Sequence, residues 1–239
     1  MSGHSKWSTI KHKKAKEDAK RGKVFTKIVR EITVAAREGG GDPAGNAKLR
    51  LLVDKARHAN MPQDNILRAI KKGTGELAGE AYEPALYEGY GPCGIAVLVE
   101  TLSDNKNRTV SDLRHLFLKM GGNLGDAGSV HWMFEQKGVI TLAVKNVDED
   151  DLLQKCIDEP IEDIKTIEDT TSVMCSVSDL LPVKEALVKS GYGIEAAELA
   201  WVPKNAINVE DGEAEQKIYK FLEAIEDLDD VQNVYTNLV

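Results

Sequence analysis

Lys13, Lys16, Lys20, Lys23, Lys27 and Arg30 recur at intervals of 3, 4, 3, 4 and 3 residues. On a helix, at roughly 100° per residue, that spacing puts all six cations on one face, with Arg37 close to it. From Lys13 to Arg30 the row spans about 25 Å if the stretch is helical throughout. Such a row can meet a phosphate backbone, each contact releasing condensed counterions. The surrounding stretch, GHSKWSTIKHKKAKEDAKRGKVFTK at 3–27, holds nine Lys and Arg against two acids. From residue 25 onward Phe25, Ile28, Val29, Ile32, Ala35 and Ala36 occupy the opposite face, so the helix has one side to bury and one to offer. Upstream of Gly22 the pattern changes, because Lys14 and Arg21 project where a buried face should be. That part is expected to be an arm ordered against a partner, with Trp7 as an aromatic for stacking and His4 and His12 as further donors.

The expected phosphate contacts are therefore Lys6, Lys11, Lys13, Lys14, Lys16, Lys20, Arg21, Lys23, Lys27 and Arg30, with His4 and Trp7 as a stacking pair. Two other readings stay open. The basic arm could fold onto acidic parts of its own chain, or the lysine face could simply be solvated.

Charge along the chain favours the first reading. The 239 residues carry a net charge of −8, yet residues 1–75 hold 18 Lys plus Arg and 7 Asp plus Glu, a net of +11. The remainder holds 13 and 32, a net of −19. A concentrated basic segment on an acidic body is an electrostatic footprint for nucleic acid. The acidic body should point away from that partner, screen the arm, or receive basic partners such as ribosomal proteins. No apolar run approaches the ~20 residues of a membrane-spanning helix, and no membrane partner is expected. Nor is there the apolar core of a signal peptide. Three cysteines without paired spacing, Cys93, Cys156 and Cys175, suit a reducing cytoplasm and are expected to be small buried thiols.

Other motifs carry less chemistry. GYGPCG at 89–94 matches the spacing of a dinucleotide-binding loop, but it opens the apolar run Ile95-Ala96-Val97-Leu98-Val99 instead of a helix, so it reads as a loop entering a strand. GGNLGDAGS at 121–129 lacks the Lys-Ser/Thr of a phosphate loop and reads as a helix end and turn. His4, His12, His58, His115 and His131 are scattered without metal-ligand spacing. Asp148-Glu149-Asp150-Asp151 reads as a helix cap and first turn. No cofactor, metal or catalytic residue is expected, and the chain is read as a non-enzyme.

Three amphipathic helices are expected before residue 73, the first stopped by Gly39-Gly40-Gly41, the third opened by Pro62 as its first residue and closed by Lys71-Lys72-Gly73. After the linker GTGELAGE, strands are expected at 85–88, 95–100, 128–134, 138–144, 161–167, 172–177, 194–202 and 231–237. Helices are expected at about 106–120, 149–157, 179–190 and 213–227. The fold class is α+β: an N-terminal three-helix domain followed by two ferredoxin-like modules.

Four long stretches resemble the YebC family, also called the PmpR or TACO-type family. They are residues 3–76, YEGYGPCGIAVLVETLSDNKNRT at 87–109, GGNLGDAGSVHWMF at 121–134 and LEAIEDLDDVQNVYTN at 222–237. The opening is similar to the family's GHSKW-N-IKH-K---D-KRGK-FTK signature, with Ser8-Thr9 ahead of Ile10. CIDEPIEDI at 156–164 departs from the family's small-residue run, and nothing is transferred there. The resemblance implies a cytoplasmic, DNA-binding transcription regulator. Its alternative is a ribosome-associated translation factor on ribosomal or transfer RNA, as a mitochondrial relative is a translational activator. It also implies one α+β domain inserted in another: 1–79 as basic arm and helical bundle, 80–130 plus 200–239 as one α+β domain, and 131–199 as an inserted acidic one.

Overall fold

Three helices, α1 (Asp18–Gly39), α2 (Ala47–His58) and α3 (Gln63–Gly73), open the computed structural model, which describes residues 18–144, 147–167 and 169–238, with side chains from residue 22 onward. Ile28 and Ile32 of α1, Leu49 and Val53 of α2 and Ile66 of α3 form their common core. Gly40 ends α1 at φ +86°. Asn46 then joins two helices at once: its Oδ1 accepts from the Leu49 amide to cap α2, and its Nδ2 donates to the carbonyls of Ala35 and Gly40. Pro62 lies one residue before α3, at its N-cap, instead of being its first residue.

Close packing of α3 on α1 depends on Gly73. A β-carbon there would fall on the Thr33 carbonyl oxygen and lie 2.7 Å from Cβ of Ala36. Gly73→Ala should push the two helices apart and cost about 2 kcal/mol. Urea unfolding checks this, and a midpoint equal to the native one would mean that the contact relaxes freely.

The rest of the chain forms two four-stranded antiparallel sheets, giving the expected α+β class. The first has the order β3 (Asn123–Leu124), β1 (Glu83–Tyr90), β2 (Ala96–Ser103), β8 (Val231–Thr236). One of its faces is covered by α4 (Lys106–Lys119) and α7 (Gly212–Glu226) through Val97, Val99, Leu113, Ile225 and the edge-to-face pair Phe117–Phe221, whose centroids are 4.9 Å apart. The second has the order β5 (Ile161–Ile167), β6 (Thr170–Cys175), β4 (Phe134–Leu142), β7 (Ile194–Pro203), with α5 (Glu149–Lys155) and α6 (Leu180–Lys189) on one face. The uncovered faces turn towards each other: Leu98 of β2 and Tyr235 of β8 pack with Phe134 of β4 and Trp201 of β7, and Tyr235 also meets Val139, Met174 and Ala200 of the second sheet. β2 is therefore buried on both faces, which explains its unbroken apolar run.

Residues 128–134, expected as a strand, are a turn followed by a 3₁₀ turn at His131–Met133, and β4 starts only at Phe134. The reason is Glu88. Its carboxylate accepts the backbone amides of Gly128, Val130 and His131 at 2.7–2.9 Å, so these donors need no neighbouring strand. Burial opposes that charge, but the three amides hold the carboxyl below its ordinary range. Cys156 and Cys175 are buried as expected, whereas Cys93 is exposed, at φ +61°. Among the described residues, no helix is long and apolar enough to cross a membrane.

Candidate nucleic-acid interface

Of the expected contacts, His4, Lys6, Trp7, Lys11, Lys13, Lys14 and Lys16 lie outside the described residues. Lys20 and Arg21 belong to the first turns of α1. Lys23, Lys27 and Arg30 follow on the same helix, and the structure brings all three to one place, the acidic turn between α7 and β8. Lys23 Nζ lies 3.3 Å from the Asp227 carboxylate and 3.2 Å from the Asp227 carbonyl. Lys27 Nζ donates to the Glu226 carbonyl at 2.9 Å, where the last carbonyls of α7 lack helical partners. Arg30 reaches furthest in, donating to the carbonyls of Leu102 and Asp229 and to the Asp230 carboxylate at 3.1 Å. Its guanidinium carbon also lies 5.0 Å from the centre of the Tyr82 ring.

Asp230 is the centre of this contact. Its side chain is only 8% exposed, and it pairs with Arg30 at 3.1 Å and Arg108 at 2.8 Å. It also accepts from Ser103 at 3.0 Å and Thr109 at 2.7 Å. Burial pushes its carboxyl up, but the hydrogen bonds from Arg108, Thr109 and Ser103 outweigh it and hold the group below the ordinary aspartate range. Three of the expected phosphate ligands thus meet the chain's own carboxylates and carbonyls. The helical spacing grouped them on one face; it gave no sign of what that face meets. The available signal was the acidic run Glu226-Asp227-Leu228-Asp229-Asp230, directly after a helical pattern.

A second site lies where the helical bundle meets both sheets. A cavity of about 770 Å³ is walled by apolar side chains such as Leu51, Leu86, Leu181 and Trp201, and its charged groups are Glu31, Glu100 and Glu198 with Lys48 and Lys55. Lys55 Nζ lies 3.0 Å from Glu31. Burial disfavours the lysine's charge, but Glu31, Glu198 and Glu100 overcome this and raise its pKa above the ordinary lysine range. Glu100 accepts from Trp201 Nε1 at 2.9 Å and from Asn233 and Tyr235 at 3.0 Å each. Burial, then the same carboxylates, keep the Tyr235 hydroxyl protonated well above its ordinary range. Three carboxylates against two lysines make this cleft a poor match for a phosphate. Among the described residues, no cluster of His, Cys, Asp and Glu could hold a metal ion.

The comparisons with known proteins agree over nearly the whole chain. A crystal structure of a conserved hypothetical protein, Aq1575 from Aquifex aeolicus, superposes with a TM-score of 0.90 at 49% identity, over 98% of this chain and 97% of that one. Proteins named probable transcriptional regulatory proteins from Desulfotalea psychrophila and Geobacter sulfurreducens are each 52% identical over 237 residues, covering 99% of this chain and 95% of theirs. Residues 5–76 match the TACO1/YebC protein N-terminal domain, and residues 82–238 match the TACO1/YebC second and third domain. On both matches together, the chain belongs to the TACO1/YebC family.

Proposed function

We propose that this protein is a nucleic-acid-binding regulator of transcription that grips the phosphate backbone of DNA through its N-terminal basic segment. The observation that carries this reading is the concentration of nine Lys and Arg against two acids in residues 3–27 of a chain whose net charge is −8. The names of the relatives point the same way. Because Lys23, Lys27 and Arg30 are held by the turn at 226–230, the first contacts fall to Lys6, Lys11, Lys13, Lys14, Lys16, Lys20 and Arg21. His4 and Trp7 supply a donor and a stacking surface. Phosphate contacts position a protein without reading sequence, so selectivity should be weak.

The test is binding of a fluorescein-labelled 30-base-pair DNA by anisotropy between about 50 and 200 mM salt. Six or more phosphate contacts would make affinity fall by about a thousandfold over that range. Affinity without salt dependence, or no binding, would sink the reading. Salt-sensitive comigration with ribosomes in a sucrose gradient, without DNA binding, would replace it with action on ribosomal RNA.

A further inference from the structure

Beyond residue 75 the chain has 13 Lys and Arg against 32 acids. Lys106, Arg108, Lys137, Lys155, Lys165 and Lys184 are each paired to a carboxylate. Among the described residues no carboxylate forms an ion pair with Arg114, Lys119, Lys189, Lys204, Lys217 or Lys220, all of them exposed, and Lys119, Lys217 and Lys220 are set apart from the others by position. All three line one groove of about 760 Å³ between α4 and α7. His115 joins them, and Asp112 is the one acid among the described residues that line it. In a part of the chain with a net charge of −19, a groove with three unpaired lysines is a local reversal of sign.

The geometry suits an extended anion. Lys217 and Lys220 stand three residues apart on α7, so their β-carbons are about 5–6 Å apart on one side of the helix. Lys217 reaches across to α4: a β-carbon at Gly121 would lie 3.6 Å from its ammonium, and Gly121, at φ +85°, leaves that space open. Lys119, the last residue of α4, lines the same groove, which therefore draws cations from both helices. Met120, Ala224 and Leu228 give it an apolar lining against which sugars and bases can lie. Leu228 also ties the groove to the interface described above, since it follows Asp227, which holds Lys23 of α1.

We propose that the α4–α7 groove is a second phosphate-binding track, which holds a nucleic-acid strand continuing from the basic N-terminal segment. This rests on the nucleic-acid reading of the preceding section and adds a surface that charge totals alone would assign to repulsion. The track is local, so removing its lysines must matter more than removing equal charge elsewhere.

The experiment compares the full-length chain with Lys217→Ala/Lys220→Ala and with a charge-matched control, Lys189→Ala/Lys204→Ala, on labelled 30-mer duplex DNA and single-stranded RNA. For whichever probe the native chain binds, the groove variant should bind roughly tenfold more weakly, with a salt slope shallower by about 2, while the control stays within about twofold of native. Native affinity and slope in the groove variant would overturn the track and leave the N-terminal reading intact. Equal losses in both variants would also overturn it, because general charge would then account for the effect. No binding of either probe by the native chain would remove the nucleic-acid reading and the track with it. All four lysines are exposed or at the surface rim, and unchanged urea midpoints would confirm that the variants fold.

Discussion

Asp230→Ala is expected to cost about 3 kcal/mol of stability, because it leaves the largely buried Arg30 guanidinium without its carboxylate and takes a charged acceptor from the Ser103 and Thr109 hydroxyls, which keep only each other and the Asn105 backbone. Urea unfolding followed by circular dichroism would show it as a lower midpoint, and a loss below about 1 kcal/mol would mean that the carbonyls of Leu102 and Asp229 hold Arg30 alone. The variant should also bind DNA more tightly than the native chain, since one carboxylate is removed from the turn and Arg30 loses its ion pair. Acid adds an independent readout. The Asp230 carboxyl is held below its ordinary value of 3.8 in the folded chain, so its contribution is complete above that pH. It is lost as the pH falls further, through the lower folded value. The native chain should therefore lose stability more steeply below pH 3.8 than Asp230→Ala does. Parallel profiles would show that the carboxylate contributes nothing through its charge.

Changing Lys13, Lys16 and Lys20 together to Glu should weaken DNA binding by about a hundredfold at ~50 mM salt and make the salt slope shallower by about 3. Each change removes a cation from the expected face and adds an anion, so the loss should exceed that of the matching alanine variant. Among the described side chains the core of the helical bundle starts at Val24 and Phe25, and thermal and urea midpoints are expected to stay close to native. Arginine at the same three positions should bind at least as well as lysine. If the Glu variant binds as the native chain does, the N-terminal segment is not the contact surface, and the reading of the whole basic region fails.

Much of the fold was legible because local chemistry and tertiary packing agree. The apolar spacing of Phe25, Ile28 and Ile32, the stop at Gly39-Gly40-Gly41 and the closing Lys71-Lys72-Gly73 describe α1 and α3 to within a few residues. Asp148 caps α5 by accepting the amides of Asp150 and Asp151, as its place before three acids suggests. Legibility failed where a distant side chain does the work of backbone. Nothing near residues 128–131 reveals that Glu88, about forty positions earlier, will take their amides. The same holds for the interface. Periodicity can put Lys23, Lys27 and Arg30 on one face, but their partners at 226–230 are some 200 residues away in sequence. The groove lysines were hidden for a related reason: Lys119 and the pair Lys217/Lys220 come from helices about a hundred residues apart, and only packing of α4 beside α7 adds their charges.

The position of β8 bears on how the chain is made. Residues 97–101 of β2 pair with residues 231–236 near the far end of the chain, and the Ala96 amide is satisfied by Asn237. The second sheet, by contrast, is complete once residue 203 has emerged. During synthesis the later sheet can therefore close while the earlier one still waits, its central strand lacking a neighbour on one side. Such contacts of high sequence separation are slow to form, and an unpaired strand edge invites pairing with other chains. Nascent chains and C-terminal truncations ending before residue 231 should accordingly be the species most prone to aggregate.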